Sequence, residues 1–204
     1  MAAKAPGYDR SVFINCPFDS DYKPIFDATV FAVMECGFIA RCALEVVDAG
    51  QVRIEKICRI VASCRFGIHD ISRTELDSVN RLPRFNMPLE LGLFLGSQRF
   101  GERHHKSKSC LILDREQYRY QKFISDIAGQ DIAAHGGDPT NVIKKIRNWL
   151  ASQKTPLPGG AAIVKRYLAF QAVLPKLCEQ LDLEADELEF TDLVNVIKQA
   201  SRPG

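Results

Sequence analysis

The sequence lacks any long apolar run and any paired-cysteine motif. No stretch approaches the roughly 20 apolar residues of a membrane-spanning helix, and the opening residues contain no apolar secretory core. The seven cysteines form no CxxC pair and lie mostly in apolar segments, which is typical of free thiols in a reducing compartment. The net charge is only +2, with both signs interspersed. We therefore expect a cytoplasmic protein with no membrane or nucleic-acid partner.

The sequence also lacks the common nucleotide-binding and hydrolase motifs. No GxGxxG follows the first apolar segment, and neither GxxxxGK[ST] nor GxSxG is present, which argues against a Gly-rich phosphate loop and a serine nucleophile. His104 and His105 are adjacent but lie in a polar stretch, where a solvated loop is the default. We expect no metal site and no cofactor.

What the sequence contains is a fivefold alternation of strand-like and helix-like segments. The strand-like segments are mostly apolar throughout, which favours a parallel sheet covered on both faces. We predict a flavodoxin-like, doubly wound α/β fold with strand order 2-1-3-4-5. The five predicted strands lie in "SVFINCPF", "FIARCALE", "RFGIHDIS", "KSCLILDRE" and "QDIAAH".

The domain organisation follows from a change of composition after residue 151. Residues 11–151 are predicted to form the α/β domain, and 152–160 a linker rich in Pro and Gly. Residues 161–204 are predicted to form a helical appendage. This tail is too short to build an independent core, so we expect it to pack against the sheet domain or against another subunit.

Polar side chains cluster where a ligand is expected in such a fold. Ligands of open parallel sheets bind beyond the carboxyl ends of the strands, where the strand order reverses. For the order 2-1-3-4-5 this point lies between the first and third strands. The polar residues at these strand ends and at the following helix start are Asn15, Asp19, Asp70, Ser72, Asn86 and Glu90.

Glu90 is the main catalytic candidate, because it is a lone acid in the apolar helix start "NMPLELGLFLG". We place it in the first turn, where the helix dipole favours the ionised form. An ionised carboxylate can attack C1 of a sugar or stabilise the oxocarbenium-like state formed when an N-glycosidic bond breaks. Glu90 could also simply suit the helix dipole without any ligand.

The other candidates each have a structural alternative. Asp70 could bind sugar hydroxyls or cap the next turn; Asn86 could bind the sugar or act as the helix N-cap. Asn15 and Ser72 are further polar candidates for substrate binding. Phe18 could stack on a base or belong to the core, and the same two readings apply to Phe85, whereas His69 is expected to be a packed strand residue.

Three of these segments carry a resemblance to a known group of proteins. A strand ends in Asp-hydrophobic-Ser ("CRFGIHDIS"), an Asn-hydrophobic-x-x-Glu-Leu-Gly helix start follows ("NMPLELG"), and then a strand "CLILD". Over residues 11–150 the chain resembles the nucleoside 2-deoxyribosyltransferase-like and bacterial TIR-like superfamily. The resemblance implies a catalytic Glu90, sugar contact by Asp70, and as substrate a nucleoside, a nucleoside monophosphate or NAD.

The function that this resemblance implies is an N-glycosidase, in a setting of bacterial defence or signalling. NAD would then be a substrate and not a cofactor. We expect a homo-oligomer assembled through the C-terminal helices. The alternatives are a module that binds a nucleotide signal without cleaving it and a TIR-like scaffold. An open cleft containing Glu90, with Asp70 nearby, would favour the enzyme.

Overall fold

The computed structural model describes residues 4–45, 48, 50–76, 81–153 and 156–201. The strands are β1 (Ser11–Asn15), β2 (Ile39–Cys42), β3 (Phe66–Asp70), β4 (Ser109–Asp114) and β5 (Ile132–Ala134). The helices are α1 (Lys23–Glu35), α2 (Arg53–Ser63), α3 (Asn86–Phe100), α4 (Pro139–Ala151), α5 (Gly160–Glu179) and α6 (Phe190–Ala200).

The five strands form one parallel sheet in the order β2-β1-β3-β4-β5, which confirms the predicted fold class and strand order. Every residue of the central strands β1 and β3 is buried. Strands covered on both faces need apolar side chains on both faces, which explains why the sequence shows no alternation of apolar and polar residues there.

Helices cover both faces of the sheet, as successive residues of β1 demonstrate. Val12 and Ile14 belong to a core that includes α1 and α4, whereas Phe13 between them packs with residues of α2 and α3. Successive strand side chains point to opposite faces, so the two helix pairs lie on opposite sides. None of the helices in the described ranges combines the length and apolarity that a membrane span requires.

The two C-terminal helices belong to the same core as α1 and α4. Phe31 of α1 stacks on Phe170 of α5 at 5.2 Å between ring centroids and meets Tyr167 edge-on at 5.3 Å. Leu193 and Val196 of α6 are fully buried in this core. The sequence predicted that the tail packs against the sheet domain or against another subunit. In the structure it packs against the sheet domain.

The segment between α4 and α5 lies along α4, as far as it is described. The guanidinium of Arg147 donates hydrogen bonds to the carbonyls of Leu157 and Pro158, at 3.1 and 2.6 Å; residues 154 and 155 of the predicted linker lie outside the described residues.

The start of α4 is as predicted, with Pro139 at its first position and the Asp138 side chain accepting from the Thr140 N–H.

Candidate functional site

The candidate site lies at the carboxyl edge of the sheet, beside the reversal of strand order between β1 and β3. The chain leaves β1 at Asn15 and enters the loop that precedes α1, and it leaves β3 at Asp70 and continues towards α3. A cleft of about 420 Å³ opens here, within the range of roughly 300–1,000 Å³ that is usual for small-molecule sites. Its walls are formed by Cys16, Pro17, Phe18, Asp19, Arg53, Arg84, Asn86, Met87 and Glu90.

Glu90 provides the only buried carboxyl group among these wall residues. The residue is 6% exposed, and burial raises the pKa of its carboxyl to about 7, although the nearby Arg53 charge acts in the opposite direction. No hydrogen bond or ion pair holds this carboxyl among the residues that the structure describes. A buried carboxyl that titrates near neutrality and lines a cleft is suited to moving a proton or stabilising a cation.

The predicted electrostatic setting of Glu90 is wrong in one respect. Helix α3 begins at Asn86 and has no acidic residue in its first turn, so Glu90 lies in the second turn. The helix-dipole effect fades beyond the first turn, and desolvation dominates instead. The pKa of Glu90 is therefore raised, where the sequence argument expected the dipole to favour the ionised form.

Asn86 and Phe18 both line the cleft. Asn86 is exposed and is the first residue of α3; the N-cap is Phe85, without a side-chain cap bond, so the expectation that Asn86 caps the helix is wrong. Phe18 is 37% exposed and packs edge-on against Phe26 at 5.4 Å. One side of its ring is held and the rest remains open to a ligand. Phe85 is 57% exposed, so it is not part of the core.

Asp70 is absent from the cleft wall, and two hydrogen bonds and a close contact with His135 hold it inside the protein. Its Oδ2 accepts from the Tyr22 hydroxyl at 2.6 Å and lies 3.0 Å from His135 Nε2, and its Oδ1 accepts from the Ser72 N–H at 2.8 Å. Burial alone would raise the pKa of Asp70, but the contacts with His135, Ser72 and Tyr22 together lower it. The sugar-binding role expected for Asp70 finds no support in this position.

Asn15, Ser72 and His69 are buried and contact only other residues of the protein. Asn15 is buried; its Nδ2 donates to the Met87 carbonyl at 2.8 Å and lies 3.0 Å from His69 Nδ1, which joins β1 to the start of α3. Ser72 is buried beside Asp70. His69 packs among Phe13 and Phe94, and burial lowers its pKa to about 3, so it is a neutral packed residue as expected.

Two arginines in the cleft wall were missed by the sequence argument. Arg53 is the first residue of α2, and Arg84 lies two residues before α3, where its Nη1 contacts Asp19 Oδ2 at 3.2 Å. A third arginine, Arg73, is not among the wall residues but contacts the other oxygen of the same carboxylate, Asp19 Oδ1, at 3.3 Å. Both wall arginines flank helix starts that face the carboxyl edge, so the rule that located Glu90 could also have located them.

Comparisons with known proteins give no further guide to this site: no family model matches the chain, and the searches of curated proteins and of solved structures find no match. The functional argument therefore depends on the geometry of the cleft and on the chemistry of its side chains.

Proposed function

We propose that this protein is an N-glycosidase that cleaves the bond between base and sugar in a nucleotide, NAD or a nucleoside. The observation that carries the proposal is the buried carboxyl of Glu90, with a pKa of about 7, in a cleft at the carboxyl edge of the sheet. The resemblance of the segments around Asp70 and Glu90 to the deoxyribosyltransferase-like and TIR-like superfamily supports the same chemistry.

The pKa of Glu90 makes both forms of its carboxyl available at neutral pH. With a pKa of about 7, the carboxyl populates both forms near neutral pH, and the ionised form can stabilise an oxocarbenium-like sugar or attack its C1. The protonated form can donate to the departing base. Asn86 offers an amide to sugar hydroxyls, and Phe18 offers an aromatic face to the base.

One observation favours a second candidate, a module that binds a nucleotide without cleaving it. The carboxylate expected to hold the sugar, Asp70, is fully buried and bonded to protein groups. A pocket for binding alone needs no second carboxylate at the sugar, so this arrangement suits a binding module as well as an enzyme.

Release of the free base separates the two candidates. The purified protein is incubated with NAD, nucleosides and nucleoside monophosphates, and the products are separated by chromatography, with Glu90→Gln and Glu90→Ala in parallel. We expect base release that falls by about 10²–10⁴-fold in both variants. A nucleotide that raises the melting temperature without any base release would instead support the binding module.

We also infer that the protein assembles into a homo-oligomer through α5 and α6. Leu168, Val173 and Leu181 on or beside α5 are 39–52% exposed, although the opposite sides of the two helices are buried against α1 and α4. Light scattering of Leu168→Lys beside the unaltered protein tests this assembly, because a charge in the interface should shift the mass towards the monomer. We propose bacterial defence or signalling as the setting of this assembly, which the resemblance supports.

A cytoplasmic setting is part of the proposal. All seven cysteines are free, and five of them are buried, as expected for thiols in a reducing compartment.

A further inference from the structure

Two arginines and two acidic residues line the described part of the cleft. Its charged wall residues are Asp19, Arg53, Arg84 and Glu90. Asp19 faces two guanidinium groups, from Arg73 and Arg84. Arg53 forms no ion pair with any of the described residues, so its charge is available to an anionic ligand.

The two wall arginines reach the cleft from different elements. Arg53 comes from the start of α2, and Arg84 from the segment before α3. The contact with Asp19 holds the Arg84 guanidinium at the wall, where its side chain remains 47% exposed. An anion between the two elements could accept from both guanidinium groups, and guanidinium geometry matches phosphate oxygens well.

Arg53 and Glu90 line the same cleft. The Arg53 charge lowers the pKa of the Glu90 carboxyl, against the larger effect of burial. No ion pair joins the two side chains, however, among the described residues. Both line the same cleft, so a ligand with its sugar at Glu90 and its phosphate at Arg53 would use both side chains.

We propose that Arg53 and Arg84 form a phosphate subsite, and that the substrate is a sugar phosphate bearing a base. This inference rests on the N-glycosidase proposed above and specifies its substrate class. The C1–N bond breaks and water supplies the new C1–O bond. One proton of that water goes to the departing base of a nucleoside monophosphate; with NAD it goes to solvent, because the cationic nicotinamide leaves as a neutral base. The products are a free base and a sugar phosphate. A nucleoside monophosphate and NAD share the required ribose 5-phosphate group.

Binding to Glu90→Gln, which removes the candidate catalytic group, tests the subsite. Calorimetry compares each common ribo- and deoxyribonucleoside with its 5′-monophosphate, and NAD is measured separately. For at least one pair we expect the monophosphate to bind about tenfold or more tightly than the nucleoside, since hydrogen bonds to charged groups are the strong ones. Comparison of the dissociation constants of the best monophosphate and of NAD shows which of the two the site prefers.

The matched control is an arginine on the same helix outside the cleft. Arg59 of α2 is exposed and donates to Gln51 Oε1 at 2.8 Å. Adding Arg53→Gln or Arg84→Gln to Glu90→Gln should reduce the phosphate preference to about twofold or less, whereas adding Arg59→Gln should preserve it. Equal preference in all three double variants would overturn the subsite, as would the absence of binding by every monophosphate and by NAD.

Failure of the subsite and failure of the proposed enzyme give different results. If the unaltered protein releases base from nucleosides and monophosphates with equal kcat/KM, and the arginine variants match it, the glycosidase stands and the subsite is wrong. If Arg53→Gln and Arg84→Gln abolish a clear phosphate preference in binding but no base is released, the subsite stands and the glycosidase is wrong.

Discussion

Glu90 and Asp70 are two buried carboxyl groups at the same edge of the sheet, and their surroundings shift their pKa values in opposite directions. Asp70 is fully enclosed, and contacts from Tyr22, Ser72 and His135 lower its pKa despite burial. Glu90 is slightly exposed to the cleft and burial raises its pKa to about 7. Burial alone therefore does not mark a reactive acid; the supply of hydrogen-bond donors distinguishes a structural carboxylate from one available for chemistry.

The largest effect on stability should come from removing Asp70. Asp70→Ala leaves the Tyr22 hydroxyl, the Ser72 N–H and His135 without their acceptor, so we expect the free energy of unfolding to fall by about 3–5 kcal/mol. Tyr22→Phe removes a single donor and should cost about 1 kcal/mol. Urea denaturation at pH 7 measures both values. A smaller loss for Asp70→Ala than for Tyr22→Phe would contradict the structural role.

Glu90→Gln should instead stabilise the protein at alkaline pH. The folded-state pKa of about 7 lies above the ordinary value of 4.5, so the folded state retains a proton that the unfolded chain has released. The unaltered protein therefore loses stability between these two values and does not recover it above pH 7. Glutamine has no such loss, and we expect it to gain about 3 kcal/mol at pH 8 and little at pH 4.5.

Urea midpoints at the two pH values check this prediction. Glu55 is an exposed acid in the first turn of α2, and Glu55→Gln is the matched control that should show no comparable gain at pH 8. A Glu90→Gln variant that is destabilised equally at both pH values would indicate that Glu90 is a structural residue like Asp70.

The smallest effect concerns the coupling of Arg53 to Glu90. The Arg53 charge favours the ionised carboxyl and so lowers the pKa of Glu90 against the effect of burial. Arg53→Gln removes that charge, and the pH dependence of kcat/KM should move to higher pH where it reports Glu90. Arg59→Gln on the same helix should leave the profile in place. An unchanged pH profile in Arg53→Gln would show that the Arg53 charge does not affect the ionisation of Glu90.

The sheet could be predicted because the necessary signals are local. Apolar strands such as "SVFIN" and a capped helix start at Asp138 and Pro139 lie within a few neighbouring residues. The position of Glu90 at the carboxyl edge followed from topology alone. The pKa of Glu90 could not be predicted. The sequence argument placed Glu90 in the first turn, whereas α3 begins at Asn86 and Glu90 lies in the second turn, so that desolvation and not the helix dipole is the main cause of the pKa shift.

The surroundings of Asp70 could not be predicted for a different reason. Its partners Tyr22 and His135 lie 48 residues before and 65 residues after it in the chain, and only the folded sheet brings the ends of β1, β3 and β5 together. A strand-end aspartate whose partners are internal looks the same in sequence as one that faces a ligand. The distinction depends on long-range contacts.

The packing of α5 and α6 on α1 has a consequence for the order of events during synthesis. Phe31 leaves the ribosome well before its ring partners Tyr167 and Phe170, which follow more than 130 residues later, and Val196 follows later still. Until the chain has emerged at least through Ile197, the outer side of α1 is an uncovered apolar surface, and such intermediates are prone to aggregation. A shortened chain that ends near residue 152 would keep Glu90 and its cleft but remain permanently in that incomplete state.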